Sequence, residues 1–191
     1  PLPGQTGPLV VDNVPYTVDT LDEKRLMELG AASFPEALRQ IPGVLLQQTA
    51  NGQGSPFIRG FTGFRNLALI DGIRLNNSTF REGPNQYWNL IDSLSLSSIE
   101  VVKGQGSVLF GSDSIGGTVN AWTKGPAYLK PAQPVPASQG KGAKAVQPTQ
   151  PVGFGPYLTG MAYTRYSTAE QSWTGRIEAS ISEWEKYGVF I

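Results

Sequence analysis

The chain has 191 residues, a formal net charge of zero, 39% hydrophobic residues and only 16% charged residues. It contains no cysteine and no histidine, which excludes disulfides, thiolate nucleophiles, the common zinc sites and triads with a histidine base. Zero net charge argues against a nucleic-acid partner, and 23 glycines with 15 prolines predict many turns and few long helices.

Two helices are predicted near the start of the chain. Residues 22–29 place charged and bulky side chains at helical spacing and stop at Gly30, a typical C-terminal glycine. Residues 33–43 predict a second helix, in which Ser33 and Glu36 have the spacing of a capping box. We expect the apolar face of this second helix to pack on a core.

The next segments predict short extended pieces around a loop. Residues 44–48 read as a strand and residues 57–61 as extended chain, with a flexible polar loop over 49–56 between them.

The clearest local signal is a hairpin. Two apolar runs are joined by Asp71 and Gly72, a pair favoured in two-residue type I′ turns, so we expect strands near 67–70 and 73–76. Asp71 is interpreted as a turn residue rather than a ligand.

After the hairpin comes a long polar and aromatic segment, residues 77–90, which we interpret as a functional loop. Residues 91–104 predict a helical turn leading into a strand, and residues 118–124 predict another strand. The glycine-rich segment between them is not a phosphate-binding loop. Its spacing fits neither the P-loop nor the dinucleotide fingerprint, and Asp113 stands near the position where a P-loop has lysine.

The last third of the chain changes character twice. Residues 125–156 are rich in proline and predict a linker or insertion without a packed core. Residues 157–191 predict two long strands, one of which, within 173–184, alternates apolar and polar residues strictly. This pattern suits the strands of a transmembrane β-barrel, and the alternative is a hairpin of a soluble sandwich.

Three segments in this order resemble the plug domain of TonB-dependent outer-membrane receptors: PFIRGF (56–61), LALIDGIRLN (67–76) and IEVVKGQGSVLFGSDSIGGTVN (99–120). Residues 13–26 and 34–44 are similar to the early strand and helices of such a plug. The resemblance implies an α+β plug with a small mixed β-sheet and short helices over residues 1–124. The linker 125–156 and the first antiparallel strands of a transmembrane β-barrel, residues 157–191, would follow.

The resemblance also implies a function and a location. We expect a TonB-dependent transporter, not an enzyme, in the outer membrane of a Gram-negative-type bacterium. It would bind siderophore-iron, cobalamin, haem or a glycan and gate its energy-dependent import. The expected partners are the remainder of the β-barrel, the TonB periplasmic domain, outer-membrane lipid and a small-molecule ligand, with no cofactor and no metal. The alternative is a non-transporting scaffold that retains the plug fold.

The resemblance further assigns roles to individual residues. The alternative is a solvated loop for the ligand-facing residues and an ordinary surface charge for the docking residues. The expected ligand-facing residues of the two apical loops, 49–56 and 77–90, are Asn51, Gln53, Phe80, Arg81, Tyr87 and Trp88. Plug–barrel docking is expected at Arg59 and Lys103. Independently of the resemblance, the glycines expected to be structural, because they allow positive φ or close backbone approach, are Gly72, Gly104, Gly111, Gly116 and Gly117. The sequence departs from the family pattern twice, in a TonB box with only a weak candidate (9–13) and in the long insertion.

Overall fold

The computed structural model describes residues 16–50, 53–84, 87–125, 157–168, 171–183 and 187–191. The chain divides into two compact units after Lys124, and each is described by itself. Asn51, the segment 9–13 and all but the first residue of the predicted linker lie outside the described residues. None of the described helices is long and apolar enough to cross a membrane.

The first unit is built on a mixed β-sheet. Its strands, in chain order, are β1 (Thr17–Asp22), β2 (Val44–Ala50), β3 (Gln53–Ile58), β4 (Asn66–Ile70), β5 (Ile73–Arg74), β6 (Leu96–Lys103) and β7 (Gly117–Thr123). Five of them form a sheet in the order β1-β6-β7-β4-β5, in which β4 and β7 are parallel and the other neighbours antiparallel. Strands β2 and β3 form a separate antiparallel hairpin. The predicted mixed sheet is confirmed.

Helix α1 (Glu23–Leu29) matches its sequence signals. The Asp22 side chain accepts a hydrogen bond from the Arg25 backbone N–H at 2.8 Å, and Gly30 ends the helix with a left-handed φ of 55°. The predicted helix over 22–29 is confirmed.

Helix α2 (Phe34–Leu38) is shorter than the predicted 33–43, because the chain turns over the residues before β2. The Ser33 side chain makes no capping bond, and the Glu36 carboxylate accepts from the Ala32 N–H at 2.7 Å instead. The capping-box spacing therefore marked the start of the helix without forming the expected reciprocal bonds.

The core of this unit lies between the helices and one face of the sheet. Alternation along β6 turns Ile99 and Val101 toward this core, and Val102 toward a small second cluster with Val18 on the other face. The side chains with no measurable exposure include Phe34, Leu38, Ile58, Leu67, Ile99 and Val101. Phe34 and Leu38 come from α2, so the predicted packing of this helix is confirmed.

The β4–β5 hairpin turns where the sequence predicts. Asp71 and Gly72 have φ of 51° and 80°, and a type I′ turn requires positive φ at both central residues. Strand β5 is shorter than predicted, because Asn76 contacts β4 through its side chain. Its Oδ1 accepts from Ala68 N–H at 3.1 Å, and its amide donates to the Asn66 carbonyl at 3.0 Å.

The second unit is a three-stranded antiparallel sheet. Strands β8 (Tyr157–Ser167), β9 (Ser172–Glu183) and β10 (Tyr187–Phe190) pair in the order β10-β9-β8. An apolar row stays open to the surroundings, with Leu158, Trp173 and Ile177 at 73%, 74% and 84% exposure. The two long strands follow the alternation of the sequence, whereas the short β10 was not predicted.

Candidate ligand-binding groove

The β2–β3 hairpin occupies most of the segment that the sequence predicts as a flexible loop. Strand pairing continues to Ala50 opposite Gln53, with a register shift between Gln48 and Ala50, so the predicted loop over 49–56 is wrong. The prediction was wrong because all seven side chains of β2 are at least partly exposed in this two-stranded hairpin, and such a strand needs no apolar alternation.

A groove of about 290 Å³ runs beside this hairpin. Gln53 and Arg81, which the sequence places in two separate ligand-facing segments, line the same groove. Its described lining consists of Gln47, Thr49, Gln53, Gly54, Ser55, Arg81 and Pro84. The fold thus brings together carboxamide, hydroxyl and guanidinium groups that can bind the oxygen atoms of a ligand.

Arg81 gives the groove a positive charge. Its Nη2 donates to the Pro84 carbonyl at 2.8 Å, which orients the exposed guanidinium in the wall of the groove. Within the part of the chain that the structure describes, Arg81 has no ion-pair partner, and the described lining contains no carboxylate. The remaining guanidinium N–H groups are therefore available to an anionic or hydrogen-bond-accepting ligand.

An aromatic surface lies in the same segment as Arg81. The rings of Phe80 and Tyr87 stack with centroids 3.8 Å apart and planes 11° apart, and both side chains are half-buried. Of the predicted aromatic residues, these two can offer a ring face or edge to a ligand.

Trp88 is placed differently from its prediction as a ligand-facing residue. Its side chain is only 3% exposed and stacks nearly parallel to Phe34 of α2, with centroids 6.3 Å apart. That expectation is wrong for Trp88, which belongs to the core. The available signal was its spacing from Ile91, since two apolar residues three positions apart share one face of a helical turn, and both are buried.

The two residues predicted to dock the plug on a barrel differ in their surroundings. Arg59 is exposed, and the described residues hold no hydrogen-bond or ion-pair partner for its side chain. The Lys103 amino group, in contrast, lies 2.5 Å from the Asp19 carboxylate and donates to the Pro42 carbonyl at 3.0 Å. The Lys103 charge is therefore already paired within the first unit, a contact that the predicted docking role did not include.

The predicted structural glycines meet two different requirements. Gly72, Gly104 and Gly111 have φ of 80°, 108° and 83°, a region that side-chain-bearing residues rarely adopt. A Cβ on Gly117 would instead lie 2.7 Å from the Val102 carbonyl oxygen and 2.9 Å from Ile58 Cγ2. A Cβ on Gly116 would meet Phe61, Asn66 and the Ile58 carbonyl, so steric contact rather than φ selects glycine at these last two positions.

Two sets of polar side-chain contacts, here called clamps, connect the β4–β5 hairpin to the glycine-rich segment and to β7. Neither was predicted. The Arg74 guanidinium lies 2.8 Å from the Asp113 carboxylate and also donates to the carbonyls of Phe110 and Ser112. The Asp71 carboxylate accepts from the N–H and hydroxyl of Thr123 at 2.8 and 2.7 Å. Each clamp joins residues at least 36 positions apart, so no local spacing could reveal it.

Known proteins resemble this chain in sequence. It matches the family model described as the TonB-dependent Receptor Plug Domain over residues 10–118. It is 34% identical over 106 residues to the vitamin B12 transporter BtuB of Vibrio vulnificus (strain CMCP6), covering 54% of this chain and 17% of that protein. It is 32% identical over 127 residues to the probable TonB-dependent receptor BfrD of Bordetella pertussis (strain Tohama I), covering 65% of this chain and 15% of that protein.

A solved structure shares the fold. The siderophore receptor PiuA from Acinetobacter baumannii superposes with a TM-score of 0.53 at 22% identity, covering 90% of this chain and 19% of that one. The present chain spans less than a fifth of the length of the curated relatives that it matches.

Proposed function

Because the chain belongs to the TonB-dependent receptor plug domain family, we propose that it forms the plug of a transporter that binds a scarce nutrient and gates its energy-dependent import. Receptors of this family are outer-membrane proteins of Gram-negative bacteria. The location of this chain is therefore the outer membrane. The related proteins carry names of vitamin B12 and siderophore transport, which supports cobalamin or a ferric siderophore as the nutrient.

The observation that carries this proposal is the groove beside the β2–β3 hairpin. It combines the Arg81 guanidinium, which Pro84 orients and which has no ion-pair partner among the described residues, with the side-chain amides of Gln47 and Gln53. Cobalamin and ferric siderophores are rich in amide, phosphate or metal-chelating oxygen atoms, which these groups can bind. The half-buried stack of Phe80 and Tyr87 supplies the apolar surface that a large ligand also needs.

The second unit supports a place in a barrel wall. The exposed apolar row of β8 and β9 is what a lipid-facing surface requires, with polar residues at the alternate positions of β9. The exposed row supports the remaining barrel strands and outer-membrane lipid as partners, and family membership supports the energy-coupling TonB periplasmic domain as a third.

Nutrient uptake by whole cells tests the transport proposal. The complete receptor is expressed in a bacterium that lacks its own cobalamin and siderophore receptors, and uptake of radiolabelled cobalamin and of ⁵⁵Fe-siderophores is followed with and without a functional TonB. We expect concentrative uptake of one nutrient class only when TonB is present. Uptake of none of them, or equal uptake without TonB, would argue against the proposal.

The groove itself is tested by charge removal. With the transported nutrient, Arg81→Gln should weaken binding to the purified receptor by about tenfold or more, since hydrogen bonds from a charged group are worth about 1.5–3 kcal/mol. Arg39→Gln is the matched control, because Arg39 is an exposed arginine at the end of α2, outside the groove. Equal affinities of both variants and the parent receptor would remove Arg81 from the binding site.

A further inference from the structure

The segment formed by β1 and α1 (residues 17–29) is attached less firmly through apolar contacts than the central strands of the sheet, β6, β7 and β4. Strand β1 is an edge strand that pairs with β6 alone among the strands of its sheet. The apolar anchors of the segment, Val18, Leu21 and Leu26, are 9%, 9% and 7% exposed, the highest values in the buried core. Separation of this segment from the sheet would therefore expose a smaller fully buried apolar area than separation of any central strand.

A nearly buried lysine of the sheet holds one end of this segment. Lys103, the last residue of β6, pairs in register with Thr17, the first residue of β1. Its side chain is 10% exposed, and its amino group lies 2.5 Å from the carboxylate of Asp19. The same amino group donates to the Pro42 carbonyl, so the sheet side of the pair stays oriented by a second contact.

A second lysine holds the other end. Lys124 directly follows β7, its side chain is 7% exposed, and its amino group lies 3.0 Å from the carboxylate of Glu23, the first residue of α1. In both pairs the sheet supplies the lysine and the segment 17–29 supplies the acid. A buried lysine deprived of its acid is costly, whereas complete opening returns both charges to water.

We propose that β1 and α1 open from the sheet as one unit, and that the Lys103–Asp19 and Lys124–Glu23 pairs set how often they do so. Opening leaves the four strands β6-β7-β4-β5 paired and makes β6 the new edge. The two ion pairs act together as a latch: they stabilise the closed state, and hydration of the separated charges offsets part of the free energy that is lost when the pairs break. The device goes beyond the proposed transport function and does not depend on which nutrient is carried.

Hydrogen exchange on the complete purified receptor tests the opening without any substitution. We expect the amides of residues 17–29 to share one opening reaction and to exchange at least about tenfold faster than those of β4 and β7, as a separate cooperative unit should. Amides of β1 that exchange as slowly as those of β4, or at rates unrelated to those of α1, would overturn the proposal.

Charge removal tests the latch. Asp19→Asn and Glu23→Gln, singly and together, should accelerate exchange throughout residues 17–29 by about tenfold or more, while β4 and β7 keep their rates. Glu28→Gln is the matched control, because Glu28 pairs only with the exposed Lys24 and Arg25 among the described residues and should have little effect. Equal acceleration by the control, or acceleration of β4 together with β1, would show that no such latch exists.

Discussion

At the residue scale, Asp71 has two structural tasks. It adopts the positive φ that the β4–β5 turn requires, and its carboxylate binds both the N–H and the hydroxyl of Thr123 on β7. One residue thereby fixes the turn and connects it to the end of a neighbouring strand.

Asp71→Ala should lower the free energy of unfolding by about 1–3 kcal/mol, because it removes two charged hydrogen bonds and places alanine at positive φ. Asp71→Asn should cost less than half as much, since asparagine tolerates this φ and keeps one acceptor oxygen. Urea unfolding followed by tryptophan fluorescence measures both. Equal costs for the two variants would contradict the role given to the hydrogen bonds.

Gly117 illustrates selection by close approach. Gly117→Ala should destabilise the protein by about 1–3 kcal/mol, because the new Cβ overlaps the Val102 carbonyl and the Ile58 side chain. Gly125→Ala is the control, since a Cβ there meets no atom within 4 Å and should change stability by less than about 0.5 kcal/mol. Thermal unfolding compares the two, and a harmless Gly117→Ala would show that the strand can move aside.

At the element scale, the short helix α3 (Ser107–Phe110) and the loop after it depend on a side chain from β5. Arg74 contacts the Phe110 and Ser112 carbonyls and the Asp113 carboxylate, and Asp113 itself has a positive φ of 72°. Because a helix of four residues has little stability of its own, these tertiary contacts hold the glycine-rich segment in place.

Arg74→Lys keeps the charge but cannot reproduce the planar fork of three contacts. We expect faster hydrogen exchange at residues 107–115 and unchanged exchange in β6. Arg39→Lys provides the comparison, because Arg39 is exposed at the end of α2 and its side chain makes no hydrogen bond or ion pair with the described residues. Unchanged exchange at 107–115 would mean that the segment is held by its own backbone bonds.

The packing of α2 against the turn at residues 87–90 makes a separate prediction. Trp88→Ala should destabilise the plug by about 3–5 kcal/mol, because it empties the space beside Phe34. Phe80→Ala should cost much less, since Phe80 is only half-buried and stacks on Tyr87. Denaturant titration measures the loss of unfolding free energy in both variants. A larger loss for Phe80→Ala than for Trp88→Ala would contradict the assignment of Trp88 to the core.

At the scale of the whole molecule, the sequence correctly predicts the features that depend on neighbouring residues, such as helix ends, tight turns and strand alternation. The helix ending at Gly30, the Asp71-Gly72 hairpin and the alternation within 173–184 follow from turn chemistry and periodicity. Only the family resemblance predicted that the sheet would be mixed, and no strand order was predicted. The parallel pairing of β4 with β7 joins residues as far apart in sequence as Asn66 and Gly117, which no local pattern can indicate.

The parts that were missed depend on tertiary contacts. Polarity over 49–56 indicated a loop, but a two-stranded hairpin tolerates polar residues, and β2 and β3 form there. An aromatic residue in a polar segment indicated ligand contact, but Trp88 fills the core. The pairing of Lys103 with Asp19 joins two strands that only the folded sheet brings together.

The central claim, that this chain is the plug of an energy-coupled receptor, is tested most directly by the affinity of the complete purified receptor for the TonB periplasmic domain. Binding is measured with and without the transported nutrient. We predict saturable binding that becomes tighter when the nutrient is present, because ligand and coupling protein act on the same plug. The absence of binding under both conditions would contradict the claim and favour a plug fold retained as a scaffold.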